Sequence, residues 1–339
     1  LSHAGHSSGT RSGYVLSSAN RNALHLASRG NLVHVFVTGG SGLTGPAVVS
    51  ELLSAGHRVT GLARSAASAD RLARLGAEPF TGSLDDLDRL REGAAAADGV
   101  IHMAIGGDSG DLSGITKRDV DAIEAMGAAL AGTGKPFVST SGTMVMAPGR
   151  VSEETDAPDP DAFAAYRIPG ERACLGYAER GVRSSVIRLA PTVHGPGDYG
   201  FVAMLVATAR KTGVSAYIGD GTNRWPAVHR LDAATLFRLA LEKAPAGTAL
   251  HGTAESGVPL RDIAEKIGRK LDLPVVSVEL DDAPAHFGSA ALSSVFAADV
   301  PASSARTRAL LGWNPSHHTL LEDLEHGDYF TVAEGAGQG

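Results

Sequence analysis

The run Val35-Phe36-Val37-Thr38-Gly39-Gly40-Ser41-Gly42-Leu43-Thr44-Gly45-Pro46 constrains this chain more than any other stretch. Apolar and β-branched residues lead into three glycines at G-x-x-G-x-x-G spacing, and Val48-Val49-x-x-Leu52-Leu53 continues with helical spacing. A buried strand that ends in a glycine turn and feeds a helix makes an anion site. The bare turn lets the backbone approach a pyrophosphate, and the helix N-terminus offers free N–H groups and the positive end of a dipole. Gly39 is expected to make the turn, Gly42 to permit close approach, and Gly45 to let the helix pack on the strand. Pro46 fits the first helical turn, where its missing N–H is not needed. In a chain with 42 glycines such a triplet means little alone, and the strand and helix around it supply the meaning.

The totals narrow the class. A chain of 339 residues with 43 % hydrophobic and 20 % charged residues reads as a soluble α/β protein. A formal charge of -7 argues against nucleic acid as a partner. The single cysteine, Cys174, excludes an internal disulfide and a thiolate metal cluster and suits a reducing, cytoplasmic compartment. No metal site is expected, and no apolar run approaches the length of roughly 18 residues that a membrane span needs. Residues 1–31 carry Arg11, Arg21 and Arg29 and no acid, and are expected to be a disordered leader or appended segment rather than part of the fold.

Thr38-Gly39-Gly40-Ser41-Gly42-Leu43-Thr44-Gly45 resembles the T-G-x-x-G-x-x-G of extended short-chain dehydrogenases/reductases, the group that holds nucleotide-sugar epimerases and dihydroflavonol-type reductases. The resemblance implies a doubly wound parallel Rossmann sheet over residues 32–190. It also implies a smaller C-terminal α/β substrate lobe over 191–330, interleaved with the last strand and helices of the core. Ser41, Leu43 and the three glycines would then hold the cofactor's pyrophosphate. The second strand, Arg58 to Ala63, runs into Arg64-Ser65 with no carboxylate before Asp70, which favours NADP over NAD. Ser83 and Leu84 stand where the family borders the adenine. Ala104 and Ile105 form the turn expected over the cofactor, and His102 before them reads as a core histidine. Asp108 to Gly114 reads as a loop at the site mouth, followed by a helix over Val120 to Ala131.

The reacting groups depart from the family pattern. Lys135 to Thr143 reads as a strand whose exit gathers hydroxyls, with Thr140 toward the cofactor and either Ser141 or Thr143 as the catalytic hydroxyl. The family's Y-x-x-x-K would place a proton donor at Tyr166 and a lysine one helical turn later. Gly170 stands at the lysine position, so Tyr166 either acts without that lysine or is only a loop residue. Ala190-Pro191-Thr192-Val193-His194-Gly195-Pro196-Gly197-Asp198 resembles the family loop beside the nicotinamide, which puts Pro191 and Val193 near cofactor and His194 toward substrate or merely filling space. Resemblance over 223–234 implies that Arg224 and Trp225 face the substrate pocket. A stripe over Leu260 to Leu271 predicts a helix, and a final helix is expected to end at Leu311.

Three functions fit these residues. The first is an NADP-dependent reductase of a carbonyl-class small molecule. The second is a sugar-nucleotide epimerase or dehydratase, which needs a diphosphate clamp. The third is a non-catalytic NADP-binding sensor. The resemblance further implies a possible homodimer.

Overall fold

The computed structural model describes residue 1, residues 33–106 and residues 111–331. The expected leader, the tip of the expected mouth loop and the last eight residues lie outside the described residues. The strands are β1 (His34–Thr38), β2 (Arg58–Ala63), β3 (Glu78–Thr81), β4 (Gly99–His102), β5 (Pro136–Gly142), β6 (Arg183–Leu189), β7 (Thr192–His194), β8 (Ser215–Ile218), β9 (Arg224–His229), β10 (Thr248–Gly252), β11 (Glu255–Pro259) and β12 (Val275–Val278). The helices are α1 (Gly45–Ser54), α2 (Ala66–Leu75), α3 (Leu87–Ala96), α4 (Leu112–Leu130), α5 (Ile168–Gly176), α6 (Phe201–Thr212), α7 (Arg230–Lys243), α8 (Leu260–Leu271), α9 (Ala283–Phe287), α10 (Ala290–Ala297), α11 (Ala305–Leu311) and α12 (Leu320–His326).

Seven strands form one parallel sheet in the order β10-β6-β5-β4-β1-β2-β3. Chain order reverses between β1 and β4, and ligands of open α/β sheets bind outside the carboxyl ends of the strands at such a switch point. The glycine turn leaves β1 there. Alternation along each strand separates two cores. Val35, Val37, Ile101 and Val138 pack toward α1 and α7, whereas Phe36, Val100 and Phe137 pack toward α3, α4 and α5. This is the doubly wound parallel sheet that the sequence implied.

Two smaller sheets, β11-β9-β7 and β12-β8, cover a third core with Trp225, Phe296, Ile263 and Leu324. α8 follows the sequence stripe residue for residue, burying Leu260, Ile263 and Ile267. Two expectations are corrected. Asp111 caps α4 by accepting a hydrogen bond from the Gly114 N–H, so the helix begins well before Val120 and absorbs part of the expected loop. Leu311 does not end the last helix of the fold. α12 follows, nucleated by a capping box in which Thr319 and Glu322 satisfy each other's backbone N–H groups.

The heaviest polar investment lies where β5, β6 and α5 meet. Arg188 and Glu171 are almost fully buried and share three contacts of 2.5–3.2 Å. The Arg188 Nη1 also donates to the carbonyls of Glu154 and Asp156, and lies 3.4 Å from His251 Nε2. The Glu154 carboxylate accepts from the Thr307 N–H and hydroxyl at the start of α11. The Arg188 guanidinium thus ties the sheet to a helix and a loop, and the Glu154 carboxylate joins that loop to the C-terminal segment.

Candidate active site

The carboxyl edge of the sheet opens into a cleft of about 760 Å³. Gly39, Ser41, Gly42, Leu43 and Gly45 form its floor, with Arg64, Ser65, Ser68, Arg71, Ser83 and Leu84 at one end. Met103, Ala104, Ile105, Thr140, Leu189 and Tyr199 line the remainder. The glycine turn is closed by the Gly42 N–H donating to the Gly39 carbonyl at 3.0 Å. Gly39 has φ +74°, and a side chain there would also strike the Ala104 backbone. At Gly45 a Cβ would run into the Gly39 carbonyl, so helix and strand pack only because that hydrogen is all glycine carries. At Gly42 the Cβ would meet only the Gly39 carbonyl, at 3.3 Å, and would otherwise project into the cleft. At Gly42 the turn therefore leaves bare space on the cleft side that a side chain would fill, which is what a diphosphate requires.

The far end is built by β2 and α2. Ser65 caps α2, accepting from the Ser68 N–H while the Ser68 hydroxyl accepts from the Ser65 N–H. Arg64 is exposed and makes no ion pair among the described residues, and Arg71 donates to the Ser41 carbonyl at 2.8 Å. Asp85 is the one carboxylate among the described lining residues, and it is held by Arg118 at 2.7 Å.

Behind the floor, His102 is buried with both ring nitrogens engaged. Its Nδ1 lies 2.6 Å from Thr38 Oγ1 and its Nε2 3.1 Å from Asp119 Oδ1. Thr38 Oγ1 also accepts from the Ala104 N–H at 3.3 Å. The chain couples the start of the glycine turn to the exit of β4 and to α4. It also accounts for Gly170. A Cβ there would overlap the second oxygen of Asp119.

The remaining expected residues separate. Ser141 and Thr143 are buried, and neither hydroxyl has a hydrogen-bond partner among the described residues. Tyr166 sits half-buried in the turn before α5, packs against the third core and accepts on its backbone carbonyl from Thr116. Pro191 and Val193 are half-buried beyond Leu189, with Val193 against the first core. None of the three residues expected toward substrate lines the cleft. Trp225 is 0 % exposed, stacks on Phe296 and donates its indole N–H to the Ala298 carbonyl. Arg224 is bound by Asp299 at 2.9–3.0 Å and lines a separate groove with Asp220 and Thr222. His194 is buried with its Nδ1 2.9 Å from Asp323. Arg224 and Trp225 are neighbours on β9 and point to opposite faces, and the partners of all three residues lie too far along the sequence to be read from it.

Sequence reading missed Tyr199 and the ring pair beside His194. His229 caps α7 by accepting from the Leu231 N–H, stacks on His317 at 4.9 Å, and meets His194 edge-on. Burial, then the neighbouring His194, pull its pKa down from 6.5 to about 4. The folded protein therefore holds His229 neutral while the unfolded chain takes up a proton below pH 6.5. Stability should fall as pH drops from 6.5 to 4, by at most about 3 kcal/mol, and level off below. Asp198 and Glu255, both raised by burial, act in the opposite sense. His229→Asn keeps a capping acceptor without titrating, and urea midpoints measured from pH 7 to 4 should show a shallower decline than in the wild type. An equal decline would contradict this assignment.

Strand order, switch point and glycine cradle together define a dinucleotide-binding α/β protein of the Rossmann type. A family model described as the NAD dependent epimerase/dehydratase family matches residues 35–251, and the chain belongs to that family. An uncharacterised protein of Schizosaccharomyces pombe is 47 % identical over 88 % of this chain and 100 % of its own length. A sterol-4-alpha-carboxylate 3-dehydrogenase, decarboxylating, of Dictyostelium discoideum is 30 % identical over 67 % of this chain and 73 % of its own. Among solved structures, the dTDP-glucose 4,6-dehydratase DesIV of Streptomyces venezuelae with NAD bound superposes with TM-score 0.71 at 18 % identity, covering 88 % of this chain and 96 % of that one. Family members are NAD(P)-dependent oxidoreductases and epimerases, and no described helix is long and apolar enough to cross a membrane.

Proposed function

We propose that this chain is an NADP-dependent oxidoreductase that reduces a carbonyl-class small molecule. The observation that carries the reading is the adenosine end of the cleft. Arg64 and Arg71 stand beside the Ser65 cap of α2, and the nearest lining carboxylate, Asp85, is already paired. A 2′-phosphate suits that charge, whereas a bare ribose 2′-hydroxyl is normally held by an acid. In this reading Gly39, Ser41, Gly42, Leu43 and Gly45 hold the pyrophosphate, and Ser83 and Leu84 border the adenine. Ala104, Ile105, Thr140, Pro191 and Val193 flank the nicotinamide half. The reduced cofactor supplies the hydride when bound. Ser141 or Thr143, whose hydroxyls have no hydrogen-bond partner among the described residues, orients the carbonyl. A homodimer, which the resemblance implies, and a cytoplasmic setting, which one buried free cysteine suits, complete the proposal.

Arg64→Ala should weaken NADPH binding about 10- to 100-fold, the loss of one charge-assisted contact, and leave NADH within about twofold. Calorimetric titration of both dinucleotides checks this, and an equal loss for both would count against a 2′-phosphate site. The sugar-nucleotide alternative loses its expected clamp, because Arg224 is occupied by Asp299 in another groove. The sensor reading retains one supporting observation, the overlap with Asp119 that a Cβ at Gly170 would make. NADPH that binds but is oxidised by no ketone or aldehyde in a broad panel would favour it.

A further inference from the structure

We propose that Tyr199 is the phenol that meets the substrate carbonyl, in the role that the resemblance would give to Tyr166. The inference rests on the reductase reading above. The adenosine end of the cleft is fixed by Arg64, Ser65 and Ser83, so the reacting end is the opposite one, with Thr140, Leu189 and Tyr199. Of these three lining residues, Thr140 and Tyr199 carry a polar hydrogen. The Thr140 hydroxyl already donates to the His102 carbonyl at 3.0 Å, whereas the Tyr199 ring stands 67 % exposed at the mouth. Its phenol has no hydrogen-bond partner among the described residues.

The ring is held out by a braced loop. Asp198 accepts from the Gly200 N–H at 2.7 Å and from the Tyr329 hydroxyl at 2.6 Å. The Gly197 N–H donates to Asp328 at 2.8 Å, and Arg230 donates to the Gly195 carbonyl at 3.1 Å. A Cβ added at Gly200 would lie 3.7 Å from the Leu43 side chain of the glycine turn. Four loop residues around Tyr199, namely Gly195, Gly197, Asp198 and Gly200, are thus pinned, which holds its backbone at the mouth while its phenol stays available. In the reaction the hydride goes to the carbonyl carbon, the Tyr199 O–H proton goes to the oxygen, and water returns a proton to the phenolate. Tyr166 differs, because it packs against the core of the substrate lobe.

The test uses the full chain, NADPH and phenanthrenequinone, an apolar dicarbonyl, with Tyr199→Phe and Tyr166→Phe side by side. Loss of a positioned acid should lower kcat about 100-fold or more in Tyr199→Phe, with NADPH affinity within about threefold of wild type. The loss should exceed that in Tyr166→Phe. Independently of turnover, tetranitromethane should nitrate Tyr199 in the free protein, and saturating NADP should protect it. A Tyr199→Phe enzyme at wild-type rate, a loss confined to Tyr166→Phe, or nitration unaffected by NADP would each overturn the proposal. Binding of NADPH without oxidation by any carbonyl would instead sink the reductase reading, and the nitration result would still report whether Tyr199 covers the cofactor.

Discussion

Glu171→Ala should destabilise the protein by about 3–5 kcal/mol, the largest effect expected from any single carboxylate here. The substitution strands Arg188, whose side chain is 3 % exposed, in an interior where water cannot reach it. The remaining partners of Arg188 are carbonyls and a histidine, which solvate a guanidinium but do not neutralise it. Because Ser141 pairs with Arg188 in the β5–β6 ladder, the damage should also reach the exit of β5. Urea unfolding followed by circular dichroism measures the loss. Replacing both partners, Glu171→Leu with Arg188→Met, should recover much of it, because the buried charges then vanish together. A Glu171→Ala protein within about 1 kcal/mol of wild type would mean that the pair is not buried as described.

Gly42→Val should leave the fold almost untouched and weaken dinucleotide binding about 100-fold or more, equivalent to ~2.7 kcal/mol. The reasoning is steric. A Cβ at Gly42 meets only one carbonyl oxygen, whereas at Gly45 it would overlap the backbone of the turn. A branched side chain at 42 therefore projects into the space that the pyrophosphate needs. The urea midpoint and the NADPH Kd separate the two effects. A variant that loses stability and affinity together would assign Gly42 to the fold rather than to the ligand.

These two positions also show what sequence can and cannot carry. The glycine turn was legible because its chemistry is local: strand, turn and helix are contiguous, and each glycine has a separate backbone reason to be there. The same holds for the central strands β1 and β4 of the parallel sheet, which read as apolar runs. The capping box at Thr319 and Glu322 was equally local and was available to be read. The Arg188 network was not, because its partners come from residues 154, 156, 171 and 251. Nor was the reason for Gly170, which depends on Asp119 in another helix. Arg224 and Trp225 misled because the family pattern names their positions but not the direction of their side chains. The contact of His317 Nδ1 with Asp232, at 2.8 Å, likewise joins residues distant in sequence.

The account stands on a dinucleotide lying against the amides between Gly39 and Gly45. Calorimetric titration of the purified chain with NADPH tests that most directly. One site per chain is expected, with a Kd of about micromolar or tighter, NADH at least about tenfold weaker, and the heat abolished in Gly42→Val. Absence of heat with either dinucleotide, or a Gly42→Val protein that binds as the wild type does, would contradict it.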